Sequence, residues 1–182
     1  NYNETPKCFV ASNNNNTYLI DKKNVHINGI SKDNSFVYGY YQTEENSWHN
    51  FIFTLNGNGD FKDITPSDCS LSAINSISSD SSFLVGTYVN QGSLRSYIYN
   101  LKTGFTDITS TSTQGICEIS SDNSYVFGQY YSTTGAHAYV RTLNGQIKDI
   151  NPSNSVESWL NGYSPDLNSV WGNYISTDNN LH

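Results

Sequence analysis

The chain lacks methionine, has three cysteines and four prolines, and carries nine lysines and arginines in 182 residues. Each shortage excludes something. Without Met, Asn1 is not an initiator, so the chain is expected to be a processed product or an excerpt, with removal of an export signal as the simplest cause. Cys8, Cys69 and Cys117 have no C-x-x-C spacing, which argues against a zinc-type site, and an odd number leaves at least one thiol unpaired in a monomer. Whether any of the three forms a disulfide is open. Basic residues so few and so scattered, at a formal charge of −7, give no electrostatic footprint for nucleic acid. No apolar run reaches the roughly 18 residues of a membrane-spanning helix, so no membrane span is expected. Charged residues make up 14% of the chain, and Asn, Ser, Thr and Tyr carry its solubility instead, as in outward-facing β proteins.

What is present is a repeat. Ile30 to Gly39 (ISKDNSFVYG) returns as Ile77 to Gly86 (ISSDSSFLVG), Ile119 to Gly128 (ISSDNSYVFG) and Tyr163 to Gly172 (YSPDLNSVWG). Four copies with Ser, Asp and Gly in register mark a repeat architecture, with units of about 45 residues. Before each anchor stands a short strand A: Ile27 to Ile30, Ile74 to Ile77, Ile116 to Ile119 and Leu160 to Tyr163. The Ser-x-Asp segment reads as a tight turn, and strand B follows in alternation, as in Val37, Gly39 and Tyr41. Strand C is HNFIFTL from His49, RSYIYNL from Arg95 and HAYVRTL from His137; glycine turns at Asn56-Gly57, Gly104 and Asn144-Gly145 lead into strand D at Phe61, Phe105 and Ile147. The apolar pair of strand A is three residues apart, so a flat strand would put its members on opposite faces. A bulge is therefore predicted near Asn28, Asn75, Cys117 and Asn161.

The ends hold half-units. Residues 7–21 read as strands C and D, and residues 156–176 as strands A and B. The expected fold is all-β: a four-bladed β-propeller-like ring of four-stranded antiparallel blades over 25–65, 70–109 and 114–151, with the last blade, 156–176, completed by 7–21. An open solenoid, an excerpt of a longer array, and exchange of the terminal strands between molecules are the alternatives.

At strand C the chain resembles the HAF family of extracellular repeats, on His137-Ala138-Tyr139 followed by Leu143-Asn144-Gly145 and Ile147 to Ile150. His49-Asn50-Phe51 is a looser copy, whereas Arg95-Ser96-Tyr97 and Lys7-Cys8-Phe9 depart from the pattern. The resemblance implies an exported repeat protein of unassigned activity, and it brings no catalytic residues; the expected location is extracellular or at a cell or virion surface.

Candidate chemistry is sparse. The Asp row at 33, 80, 122 and 166 has oxygens that suit a cation, but one carboxylate per turn reads as an Asx turn, and the second row, Asp63, Asp107 and Asp149, reads the same way. A basic residue opens every strand C: Lys7, His49, Arg95 and His137. On one face of a propeller these four would form a ring of donors, either for a multivalent ligand or for packing or a hydrogen bond to the neighbouring blade. Trp48, in a B–C loop, is the aromatic ring placed to stack on a sugar or anchor a protein; Trp171 belongs to a core row, and Trp159 to the axis or mouth. There is no G-x-S-x-G, H-E-x-x-H or phosphate loop, so no catalytic residue, metal or cofactor is expected. Asn3 and Asn15 head formal glycosylation triplets. The expectation is a non-enzymatic binding or adhesion module, lectin-like and multivalent, for a carbohydrate or protein surface ligand. The alternative is a structural subunit that binds copies of itself through exchanged terminal strands, in a filament or surface layer.

Overall fold

A computed structural model describes residues 7–11, 17–57, 59–109, 114–164, 166, 168–178 and 180–181; of Gln114, Ile116 and Cys117 it describes the backbone. The glycosylation triplets at Asn3 and Asn15 lie outside the described residues. Every regular element among the described residues is a strand. β1 (Cys8–Ala11) and β2 (Thr17–Ile20) form a hairpin. Three four-stranded antiparallel blades follow. Blade 1 is β3 (Lys23–Ile30), β4 (Phe36–Gln42), β5 (Trp48–Thr54) and β6 (Phe61–Asp63). Blade 2 is β7 (Leu71–Ile77), β8 (Phe83–Asn90), β9 (Ser93–Asn100) and β10 (Gly104–Asp107). Blade 3 is β11 (Gln114–Ile119), β12 (Tyr125–Ser132), β13 (Gly135–Thr142) and β14 (Ile147–Asp149). β15 (Ser155–Tyr163) and β16 (Val170–Ser176) make a last hairpin, and a parallel pairing of Trp48 with Leu71 joins blades 1 and 2.

The bulges fall where the apolar spacing requires them. Register shifts by one residue between Ile27 and Gly29, Ile74 and Ser76, Ile116 and Glu118, and Leu160 and Gly162. Each bulge drives the carbonyl of the residue before it over the glycine of the paired strand. A Cβ on Gly39, Gly86, Gly128 or Gly172 would stand 1.9, 2.1, 2.3 or 2.0 Å from the carbonyl oxygen of His26, Ala73, Gly115 or Trp159. The repeated glycine and the repeated bulge are one device, in which bare backbone lets a neighbouring strand approach.

The turn between strands A and B is also made four times from the same parts. The hydroxyl oxygens of Ser31, Ser78, Ser120 and Ser164 accept the backbone N–H five residues on, at 2.9–3.0 Å. Asp33, Asp80, Asp122 and Asp166 accept the N–H two residues on, which is the Asx turn. Asn34, Ser81 and Asn123 take positive φ next in line.

The core lies between blades. Phe36, Ile52 and Ile64 of blade 1 pack on Ile74, Leu84, Tyr88, Tyr97 and Tyr99 of blade 2. Val85, Ile98 and Ile108 of blade 2 pack on Ile119 and Val126 of blade 3. Burying each such side chain contributes about 1.5–3 kcal/mol.

The closed ring is not formed. The hairpin β1–β2 does not join β15–β16: its inner face, Cys8, Val10, Tyr18 and Ile20, packs on Val25, Val37, Phe51 and Phe53 of blade 1, while β15–β16 continues the stack from blade 3. Each step from blade to blade is padded by Tyr, Phe, Leu and Ile side chains, and four such steps do not return the last hairpin to the first. The outcome is an open arc. Trp171 changes place with it. Expected in the core with Tyr38, Val85 and Phe127, it is 61% exposed, because its row faces the next blade and none follows among the described residues.

Candidate functional site

The basic residue that opens each strand C is tied down inside its own blade. His49 Nδ1 donates to Asp63 Oδ2 at 2.6 Å, and the Tyr41 hydroxyl donates to the same oxygen at 2.8 Å. On blade 2, Arg95 Nε and Nη2 lie 3.0 and 2.5 Å from Asp107 Oδ2, which also accepts the Tyr88 hydroxyl at 2.9 Å. On blade 3 the Tyr130 hydroxyl reaches Asp149 Oδ2 at 2.8 Å; His137 stacks on Tyr130 instead, with Nε2 2.9 Å from Ser132 Oγ and 3.0 Å from Thr134 Oγ1. Lys7 pairs with Asp21 at 2.9 Å on the first hairpin, where Leu19 stands in the Asp row.

The second oxygen of each strand D carboxylate is used as well. Asp63, Asp107 and Asp149 accept the N–H of Thr65, Thr109 and Asn151, and those side chains in turn accept the N–H of Asn50, Ser96 and Ala138 at 2.8–2.9 Å. In blades 1 and 2, Tyr from strand B, a base from strand C and Asp from strand D thus stitch one end of the blade; in blade 3, Tyr130 and Asp149 do so without His137. Burial pushes the Asp63 and Asp107 carboxyls up, but the hydrogen bonds they accept outweigh it and hold both below the ordinary range. Burial and the Asp149 carboxylate push Tyr130 up to about 12.

The aromatic feature of the face is on blade 1. The His26 and Tyr40 rings stack at 4.8 Å, and Trp48 closes the group at 5.5 Å from Tyr40, edge to face. His26 is exposed, and Tyr40 and Trp48 are half-buried. Gln42 stands opposite Trp48 in the β4–β5 register and lines an open groove of about 560 Å³ with Asp21, Lys22, Lys23, Tyr41, Thr43, Glu44 and Glu45. Trp48 was legible as a candidate from the sequence; His26 and Tyr40 were not. The signal was Tyr40 and Gln42 sharing one strand face, but the bulge between Lys23 and His26 sets which strand A side chain meets them.

Arg95 and His137 are on other blades and do not meet Trp48. Trp159 is half-buried and lines a cavity at the last hairpin. Cys8 and Cys69 are free thiols, and the Cys117 side chain lies outside the described residues. Among the described residues no three His, Cys, Asp or Glu side chains converge as a metal site, and no helix is long and apolar enough to cross a membrane.

These blades define an all-β protein of the propeller type, and the solved structures it is similar to have that fold. TolB of Acinetobacter baumannii superimposes with a TM-score of 0.59 at 15% identity over 97% of this chain and 47% of that one. A TolB-type protein of Agrobacterium tumefaciens gives 0.60 at 15% identity, over 99% of this chain and 74% of the other. The β-propeller domain of the Trilobed protease of Pyrococcus furiosus, described as having an open velcro topology, gives 0.51 at 13% identity over 87% and 56%. The chain thus spans about half the length of the Acinetobacter protein. No family model and no curated protein matches the sequence.

Proposed function

We propose that the protein is a non-enzymatic surface binding module, lectin-like, which takes a carbohydrate at the aromatic end of blade 1. The observation that carries this reading is the His26, Tyr40 and Trp48 group beside the polar groove. Ring faces stack on the C–H face of a sugar, and Gln42, Glu44 and Glu45 in the groove offer an amide and carboxylates to its hydroxyls. Of the groove's lining residues, Asp21 pairs with Lys7, and Tyr41 shares the Asp63 carboxylate with His49. The same groups argue against catalysis, since each base with its carboxylate or hydroxyl partners serves to hold strands together. Export to a cell or virion surface accords with the likeness to HAF repeats.

A glycan array probed with folded protein tests the reading. Binding is expected, and Trp48→Ala should weaken it at least about tenfold with the far-UV spectrum unchanged. An array without signal, or a signal indifferent to Trp48, removes the carbohydrate site.

A further inference from the structure

We propose that Asn56 is a site of spontaneous covalent modification, converted through a cyclic imide to aspartate and isoaspartate, and that the isoaspartyl form loosens the β1–β2 hairpin from blade 1. The proposal does not rest on the carbohydrate site.

The chemistry belongs to an asparagine followed by glycine. The main-chain nitrogen of the glycine gives up its proton to water and attacks Cγ of the asparagine. The N–Cγ bond forms as the Cγ–Nδ2 bond breaks, and Nδ2 takes a proton from water and leaves as ammonia. Water then opens the imide. Cleaving the N–Cγ bond gives aspartate in the original main chain, whereas cleaving the bond from nitrogen to the main-chain carbonyl carbon reroutes the chain through Cβ and Cγ as isoaspartate. In sum one water is consumed, one ammonia is released and a neutral amide becomes a carboxylate, which adds a negative charge. Glycine favours closure because it has no side chain to obstruct the ring and its backbone turns freely.

Four of the described asparagines precede a glycine, namely Asn28, Asn56, Asn144 and Asn161, and the fold separates them; Asn58, before Gly59, lies outside the described residues. Asn28 and Asn161 stand at strand A bulges, inside paired strands. Rings press on their glycines: a Cβ on Gly29 would stand 2.6 Å from the Tyr38 hydroxyl, and one on Gly162 2.9 Å from Trp171 Nε1. To close an imide, either pair has to leave its ladder. At Asn144 both reacting groups are held, since its Oδ1 accepts the Thr142 hydroxyl and the Gly145 N–H donates to the Thr142 carbonyl at 2.9 Å. Asn56 has none of these restraints. It lies with Gly57 in the exposed turn between β5 and β6, a Cβ on Gly57 would meet nothing within 4 Å, and among the described residues neither the Asn56 side chain nor the Gly57 N–H has a hydrogen-bond partner.

The consequence follows from what this turn holds. The Tyr18 hydroxyl of β2 donates to the Leu55 carbonyl oxygen at 2.7 Å and lies 3.4 Å from that of Gly57, so the two carbonyls that flank Asn56 receive one side chain of the first hairpin. The Tyr18 ring also packs edge to face on Phe53, at 5.8 Å. Isoaspartate at 56 inserts a main-chain carbon between those carbonyls. They then cannot both stay where Tyr18 meets them, and the hairpin loses part of its hold on blade 1.

The test incubates the folded 182-residue chain near neutral pH and assigns each conversion by fragment mass spectrometry. Asn56 should convert at least about tenfold faster than Asn28, Asn144 or Asn161, because each of those must first give up a hydrogen bond, worth about tenfold in rate. In urea the four rates should converge. Species whose one change maps to isoaspartate at 56, separated by their added charge, should exchange the amide hydrogens of Cys8–Ala11 and Thr17–Ile20 faster than the unaltered chain. Freshly prepared Asn56→Asp adds the charge without the extra carbon and should leave that exchange unchanged, and Asn56→Ser should remove both the conversion at 56 and the loosening. A native Asn56 no faster than Asn28, a rate order that persists in urea, unchanged exchange in the isoaspartyl species, or a hairpin already loosened by Asn56→Asp would each overturn the proposal.

Discussion

The carbonyl oxygen of Ala73 lies 2.1 Å from the point where a Cβ on Gly86 would stand, and the Tyr97 ring comes within 2.7 Å of the same point. The glycine is therefore walled by backbone that cannot swing aside. Gly86→Ala should cost about 3 kcal/mol, at the upper end of overpacking. Gly92, at φ +77 with open space around it, should lose only about 1 kcal/mol as Ala, from backbone strain alone. Urea unfolding of the two variants checks the order, and equal losses would show that the bulge can relax.

Asn50 is buried and links two blades: its Nδ2 donates to Ser72 Oγ at 2.8 Å and to the Tyr97 hydroxyl at 3.1 Å. Its Oδ1 is buried without a hydrogen-bond partner, so Asn50→Ala removes a desolvation cost along with two bonds. The net loss should be about 1–2 kcal/mol. Combined with Tyr97→Phe, the losses should add to less than their sum, since the two share a bond. Strict additivity in a double-mutant cycle would contradict the link.

Acid should destabilise the protein through its aspartates. Hydrogen bonds from Ser164 and Asn168 hold the Asp166 carboxyl down at about 2, and Asp63 and Asp107 are also below the ordinary range despite their burial. A folded-state pKa below the unfolded value of about 3.9 gives stability that is present above that pH and lost as pH falls through the folded value. The urea midpoint should hold from neutral pH down to about 5 and then drop steadily toward pH 2. A midpoint that is flat across that range would count against the turns as stabilising devices.

At the other extreme, Tyr130 should titrate late, at about 12, because burial and the bond to Asp149 both favour its neutral form. With the folded value raised above the unfolded one, this stability is complete below about pH 10 and lost as pH rises through 12. Following tyrosinate absorbance in the native protein checks it. Asp149→Asn should bring the Tyr130 titration down, and an unchanged curve would show that Asp149 does not act on it.

Much of the molecule is local, and the sequence determined that part alone. Period-two alternation, the Ser-x-Asp turns and the three-residue spacing of Ile27 and Ile30 named the strands, the turns and all four bulges, because each depends on a few adjacent residues. The half-units at the two ends were legible in the same way. Where those ends go was decided by tertiary structure. The turn from blade to blade is set jointly by many side chains packed between blades, such as Phe36, Leu84, Tyr97 and Val126, and no single residue signals it. That curvature leaves the arc open and keeps Trp171 and Phe9 in solvent, whereas the bulge and register of three adjacent strands bring His26 and Tyr40 to Trp48. Likewise, a row of bases reads as a ring of donors in one dimension; only the pairing of strands C and D placed Asp63 and Asp107 beside His49 and Arg95 and turned donors for a ligand into bonds within the blade.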